Sequence, residues 1–245
     1  MRYAAAVKAL GPIDLKSTLR DPLLRWLVVY PIFLGVMIRF GVPWMTPRLV
    51  GRFGFDLEAY SWLLMSFMLL TTPIIAGVVI GFLLLDQRDD HTLTALQVTP
   101  LTLKGYLVYR TTTPIMLSVA IVFVIFPVAG LVEIGFLPLL AAAIGAGPLA
   151  VVFALVLAGF ANNKVQGFAL AKALGIVLVP AVVAYFVDTR WQLLFGILPV
   201  YWPVKFFWTL ESGASGGWGY WAVGLAYQGV IIWALWRRVD RVMHR

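Results

Sequence analysis

From residue 59 to residue 85 the chain runs 27 residues without one Asp, Glu, Lys or Arg. At 1.5 Å rise per residue a helix of that length reaches about 40 Å, more than the about 30 Å of a bilayer's hydrocarbon core. Five more apolar stretches follow the same rule: residues 23–42, 111–132, 134–163, about 168–187 and about 218–236. Six such segments cannot be hidden in the interior of a 245-residue soluble chain. Composition agrees, with 62% hydrophobic and 12% charged residues, where soluble domains run near 45–50% and 25%. The expected fold is an all-α polytopic membrane protein of six transmembrane helices, forming one transmembrane domain over residues 1–245. The net charge of +8 then reads as anchoring on the cytoplasmic side, where loops collect Lys and Arg, and no nucleic-acid partner is expected.

Local signals place the ends of the spans. Asp21-Pro22 suits a helix start, because the carboxylate can accept from free amides and proline fits the first turn. Arg25 and Arg39, near the ends of the first span, can snorkel to the headgroups. Glu133 separates the third and fourth stretches, and Pro127, Gly135 and Pro138 make that junction a turn. Residues 191–209 are apolar too, but Pro199 and Pro203 break them and Lys205 lies inside. Charge decides their place. With six spans and both termini inside, 14 basic side chains are cytoplasmic and five are outside. A seventh span would move Arg237, Arg238, Arg241 and Arg245 to the outer face, against the charge bias. Residues 191–209 are therefore expected as a broken outer segment, re-entrant or surface-lying. Its aromatics (Trp191, Tyr201, Trp202 and Trp208, then Trp218, Tyr220 and Trp221) suit an interfacial belt. Residues 3–20 alternate Val7, Leu10, Ile13, Leu15 and Leu19 with Lys8, Lys16 and Arg20, which predicts an N-terminal helix lying in the cytoplasmic interface, interrupted at Gly11-Pro12. No apolar h-region precedes it, so no cleavable signal peptide is expected.

Few residues can carry chemistry. The chain has no cysteine, which removes thiolate metal sites and cysteine nucleophiles. Its two histidines, His91 and His244, have no metal-ligand spacing, so no metal site is expected. No G-x-x-x-x-G-K-[ST] loop cradles a nucleotide, so neither catalytic residues nor a bound cofactor is expected in this chain. No ionisable group falls near the middle of a span, where a proton- or sodium-coupled carrier would need one. Ser66, Thr71, Thr72 and Gln228 could face a substrate path, and helix–helix hydrogen bonding explains them equally well.

The link between the second and third spans stands apart. Asp86, Arg88, Asp89 and Asp90 crowd into five positions, and His91 and Thr92 follow. Leu93 and Leu96 then share a helix face, and Thr99-Pro100 ends the run. This predicts a short amphipathic cytoplasmic helix whose acidic start suits the helix dipole, or else an ordinary solvated loop. Type-2 ABC transporter permeases carry an acidic cluster at this address, then a Thr-Leu pair, a leucine and Thr-Pro with an aliphatic residue. Asp86, Asp89-Asp90, Thr92-Leu93, Leu96 and Thr99-Pro100-Leu101 resemble that pattern, with His91 where many members have glycine. Arg20-Asp21-Pro22, the basic N-terminal helix and the broken outer segment are similar to the same family, and the size resembles small bacterial drug-export permeases, fluoroquinolone-export permeases included.

The resemblance implies a permease subunit in the bacterial inner membrane, with both termini cytoplasmic. It further implies a separate ABC ATPase subunit, which binds ATP and Mg, and a second permease copy, identical or not. The acidic link would be the coupling helix that enters the ATPase. Short outer loops favour a hydrophobic or amphipathic small molecule, such as a drug, over a polysaccharide. Two other classes stay open. A membrane-embedded lipid-modifying enzyme would have only Asp86, Asp89, Asp90 and His91 for its chemistry; the other class is a scaffold subunit without transport.

Overall fold

The charge-free run forms the central helix of a bundle whose described residues are 3–89, 103–187, 189–213 and 216–243 of a computed structural model. In chain order the helices are α1 (Tyr3–Arg20), α2 (Pro22–Phe53), α3 (Ser61–Asp89), α4 (Leu103–Ala129), α5 (Phe136–Ala146), α6 (Pro148–Phe160), α7 (Lys164–Gly175), α8 (Leu178–Tyr185), α9 (Tyr201–Ser212) and α10 (Gly217–Met243). Short 3-10 stretches, Glu58–Tyr60 and Arg190–Ile197, precede α3 and α9. No strand occurs among the described residues.

Among the described residues, five segments are long and apolar enough to cross a membrane: Pro22–Phe53, Glu58–Arg88, Val108–Ala129, Phe136–Phe160 and Lys164–Tyr185. The sixth expected stretch is helical, as α10, but Trp218, Tyr220, Trp221, Tyr227 and Gln228 dilute its apolar character and it is not among those five. Burial separates inner helices from outer ones. The apolar stretch of α3 is 94% buried, that of α5–α6 72%, and those of α2 and α7–α8 only 17%.

Lipid gives helices no solvent-driven reason to associate, so close packing must supply the attraction. Gly77-Val78-Val79-Ile80-Gly81 on α3 provides it. A Cβ at Gly77 would lie 2.7 Å from the Phe153 Cβ of α6, and one at Gly81 would lie 2.9 Å from the Leu157 Cβ. Two glycines four apart thus let α3 and α6 approach to near backbone contact. Packed around that line, Met65, Met68, Leu69, Leu70, Phe82 and Leu85 of α3 are almost wholly buried.

Several helix ends lie where the sequence places them. Asp21 caps α2, its Oδ1 accepting from the amides of Leu23 (2.9 Å) and Leu24 (3.4 Å). The turn around Glu133 falls between α4 and α5. Pro127, however, lies inside α4 rather than in the turn, which begins at Gly130 with φ +61°. The last carbonyls of α4 have no helical donor. Arg39 supplies one, donating through Nη1 to the oxygens of Pro127 (3.1 Å) and Val128 (3.3 Å). Arg39 is therefore inside its helix and caps a neighbour, because α2 continues eleven residues past position 42.

Three other expectations change in detail. Helix α1 runs unbroken through Gly11-Pro12, because burial of Leu10 and Asp14 holds it in place and outweighs the one helical bond that proline removes. The fourth stretch is two helices meeting at Gly147-Pro148, and the fifth is two meeting at Ile176-Val177. Residues 191–209 divide into unlike halves. Arg190–Ile197 is largely exposed, with Trp191 71% and Ile197 72% accessible, whereas α9 buries Tyr201, Val204, Phe206, Phe207 and Trp208 in the bundle. The aromatic belt is accordingly partial: Trp191 and Trp218 are exposed, while Tyr201 and Trp208 are buried.

Candidate functional site

The last turn of α3 leads into residues 90–102, so Asp90, His91, Thr92, Leu93, Leu96, Thr99 and Pro100 lie outside the described residues, as does the side chain of Asp89. Three successive side chains, Asp86, Gln87 and Arg88, each reach a different element. Asp86 Oδ2 is 3.0 Å from the Lys164 Nζ at the start of α7. Gln87 Oε1 accepts from the Tyr106 hydroxyl of α4 at 3.0 Å. Arg88 Nη2 donates to the Ala161 carbonyl, just past α6, at 2.8 Å. Side chains at i, i+1 and i+2 of a helix point in directions about 100° apart, which is how one turn can be tied on three sides.

Lys164 is shared. Its Nζ also lies 2.8 Å from Asp21 Oδ2, the carboxylate whose other oxygen caps α2. The Lys164 hydrogen bond, with help from the Leu23 and Leu24 amides, holds the Asp21 carboxyl below the usual carboxylate range against the opposing effect of burial. Asn163 caps α7 by accepting from the Gln166 amide at 2.9 Å, and the Gln166 side chain accepts from the Asn162 amide at 2.9 Å. Arg238 of α10 donates to the Gly159 carbonyl at 3.2 Å while stacking over Phe160 at 3.8 Å. Arg88 and Arg238 thus bring two cations to the carbonyl end of α6, where the helix dipole favours them.

A second, drier contact fixes α1. Arg110 of α4 donates to both oxygens of Asp14, at 2.7 and 3.1 Å, and the Tyr109 hydroxyl donates to Asp14 Oδ2 at 2.8 Å. The Arg110 side chain is 0% exposed and that of Asp14 10%. Between α3, α4, α6 and α10 lies a cavity of about 20 Å³ bordered by Arg88, Tyr106, Leu155 and Trp236. It has room for about one water, not for a drug-sized molecule.

The four polar positions singled out for a substrate path are buried within the chain. On α3, Ser66 donates to Leu63 O (2.7 Å), Thr71 to Phe67 O (2.8 Å) and Thr72 to Leu69 O (3.1 Å). Thr72 also lies 3.3 Å from the Ser118 hydroxyl of α4. On α10, Gln228 Nε2 donates to Gly145 O at 3.0 Å, beside the break between α5 and α6. Sequence reasoning did not single out Lys164, nor the Asp14–Arg110 pair. The available signals were the Asn162-Asn163-Lys164 interruption between apolar runs and a lone acid four residues after buried Leu10.

Stacked long helices that are predominantly apolar define a multi-pass membrane protein. Residues 14–236 match the family described as fluoroquinolones export permease protein Rv2686c-like, and the chain belongs to that family. It is 38% identical over 237 residues to fluoroquinolones export permease protein Rv2686c of Mycobacterium tuberculosis (strain H37Rv), covering 95% of this chain and 93% of the relative. The same identity and coverage hold for fluoroquinolones export permease protein MT2760 of the CDC 1551 strain. No solved structure matches. The chain is a permease of the drug-export kind.

Proposed function

We propose that the chain is the membrane subunit of an ATP-driven ABC exporter that moves a hydrophobic or amphipathic drug, of the fluoroquinolone kind named for its relatives, out of the cell. The observation that carries this reading is the triple tie on Asp86, Gln87 and Arg88. It braces the helix end from which the acidic, leucine-bearing segment departs, as a part that must receive force requires. A separate subunit with ATP and Mg supplies that force. Two permease copies, alike or different, enclose the path, to which Ser66, Thr71, Thr72 and Gln228 contribute when the copies and the ATPase shift the helices apart.

Six spans fit this reading. Helix α10 has 27 residues, enough to cross at about 1.5 Å each. Arg238 ties the far end of α10 to the same turn that Arg88 reaches, and Asp14 ties α1 to the start of α4. Helix α1 and the far end of α10 thus lie at one end of the bundle, which fits an even number of crossings, and the charge bias favours a cytoplasmic side there. There α1 lies in the interface with Ile13, Leu15 and Leu19 outward. On the outer side α9 is the re-entrant part of the broken segment and Arg190–Ile197 its interfacial part.

Within the coupling segment, Leu93 and Leu96 enter the ATPase groove. Asp89, Asp90, His91 and Thr92 form its polar start, and Thr99-Pro100 ends it. Asp86 and Arg88 act inward, as stem rather than contact. Burying a large apolar side chain contributes roughly 1.5–3 kcal/mol, so Leu93→Asp with Leu96→Asp is expected to release the ATPase from a permease that still inserts. Co-purification and normal drug export by this double variant would refute the assignment.

A further inference from the structure

Lysine is an odd choice for the first position of α7. The N-terminal end of a helix carries positive partial charge, which repels a cation and favours an anion. Lys164 stands there nonetheless, held by two carboxylates from other helices: Asp21 at 2.8 Å and Asp86 at 3.0 Å. Each acid matters to the element that carries it. Asp21 uses one oxygen to cap α2 and the other to hold Lys164. Asp86 belongs to the last turn of α3, three residues before Asp89. One ammonium therefore joins the starts of α2 and α7 to the stem of the acidic segment.

Exposure distinguishes this junction from its neighbour. The side chains of Lys164, Asp21 and Asp86 are 41%, 24% and 32% accessible, whereas Arg110 in the Asp14 pair is 0%. The Asp14–Arg110 contact is a dry fixture. The Lys164 contacts are open to water, so each can lengthen or exchange at little cost, as a joint in a moving part must. Gln87 and Arg88 meanwhile bind the same turn of α3 to α4 and to the end of α6. Lys164 adds a charged link to the apolar packing by which Gly167 of α7 already meets Phe82 and Leu85 of α3, and it brings in the Asp21 cap of α2. Helices α2 and α7–α8 are the least buried of the five long apolar segments.

Taking the ABC-exporter reading as its basis, we infer that Lys164 is a positioning residue for coupling: through Asp21 and Asp86 it passes displacement of the last turn of α3 to α2 and α7, so that ATP turnover and drug movement stay linked. The test is the drug exported per ATP hydrolysed by the permease–ATPase complex in liposomes, for the native chain, Lys164→Met and Lys164→Arg. Lys164→Met should lower that ratio about 5-fold or more, the lower end of typical coupling effects, while the complex still assembles and hydrolyses ATP. Lys164→Arg, which keeps the charge, should restore most of the ratio. A merely structural role would lower assembly and leave the ratio of the assembled complexes unchanged. Should Lys164→Met not assemble, Asp86→Asn tests the same link, because it leaves the Asp21 contact and the α2 cap in place; a lowered ratio supports the inference and a native ratio overturns it. An ATP-driven native complex whose Lys164→Met variant keeps the native ratio overturns the role of Lys164 alone. A native complex that exports without ATP overturns the reading on which it rests.

Discussion

Removing either partner of the Asp14–Arg110 pair should undock α1 from α4, and the two removals should differ in size. Three hydrogen bonds converge on the Asp14 carboxylate, at 2.7, 2.8 and 3.1 Å, in a site where Arg110 has no exposed side-chain surface. Asp14→Ala strands a guanidinium that cannot shed its proton, and breaking a buried pair this way costs about 3–5 kcal/mol. Arg110→Met instead strands a carboxylate that keeps the Tyr109 bond and can be neutralised by a proton. That cost should fall nearer the about 1–3 kcal/mol of an unsatisfied buried polar group. At about 1.4 kcal/mol per tenfold, Asp14→Ala raises the undocked population roughly 100- to 4,000-fold and Arg110→Met clearly less. Leu10, 4% exposed on the docked face of α1, offers a reporter. The chain has no cysteine of its own, so maleimide labelling of Leu10→Cys reads undocking directly. The reasoning is refuted if Asp14→Ala leaves labelling as slow as in its parent, or if Arg110→Met opens the site further than Asp14→Ala does.

Gly77→Leu places a side chain against the backbone of α6 and should prevent α3 and α6 from packing, at a cost beyond the about 1–3 kcal/mol of ordinary overpacking; a monodisperse variant with the native melting temperature would contradict this. The Asp21 carboxyl is held down by Lys164 and the Leu23 and Leu24 amides, so its folded pKa lies below its unfolded one. The stability it contributes is present above the ordinary value of about 3.9 and is lost as pH falls through the lowered one. Hydrogen exchange at Leu23 and Leu24 should therefore stay slow down to about pH 4 and quicken only below it, and protection lost by pH 6 would refute the cap. Cysteines placed singly at Ser17, Thr94 and Ser215 should react with an impermeant reagent in intact cells only at Ser215, and labelling at Ser17 or Thr94 would overturn the six-span topology.

What could be read from sequence alone was whatever rests on local composition. Apolar runs predict six spans, of which five are long and apolar enough to cross a membrane among the described residues; Asp21-Pro22 marks the start of α2, and Glu133 with Gly135 marks the turn before α5. Local breakers misled where tertiary contacts outweigh them. Gly11-Pro12 lies within an unbroken α1 because Asp14 is pinned to α4 and Leu10 is buried, and Pro127 ends up inside α4, where Arg39 satisfies its carbonyl and the next one. Gly77-x-x-x-Gly81 is a small-residue packing motif that the sequence carries in plain view. The ties around the last turn of α3 were legible only in part. Asp86 and Arg88 stand out in the sequence, but their partners Lys164 and Ala161 are more than 70 positions away, and no local pattern names a contact at that distance. Asp14 and Arg110, 96 positions apart, were hidden for the same reason.

The proposed dependence of drug export on a separate ATPase is tested most directly by reconstitution. Purified chain in liposomes, alone and together with its ATPase, can be assayed for movement of a fluoroquinolone with and without ATP and with and without a proton gradient. The account predicts transport only when the ATPase and ATP are both present, indifferent to the gradient. Transport by the chain alone, driven by the proton gradient and indifferent to ATP, would contradict it.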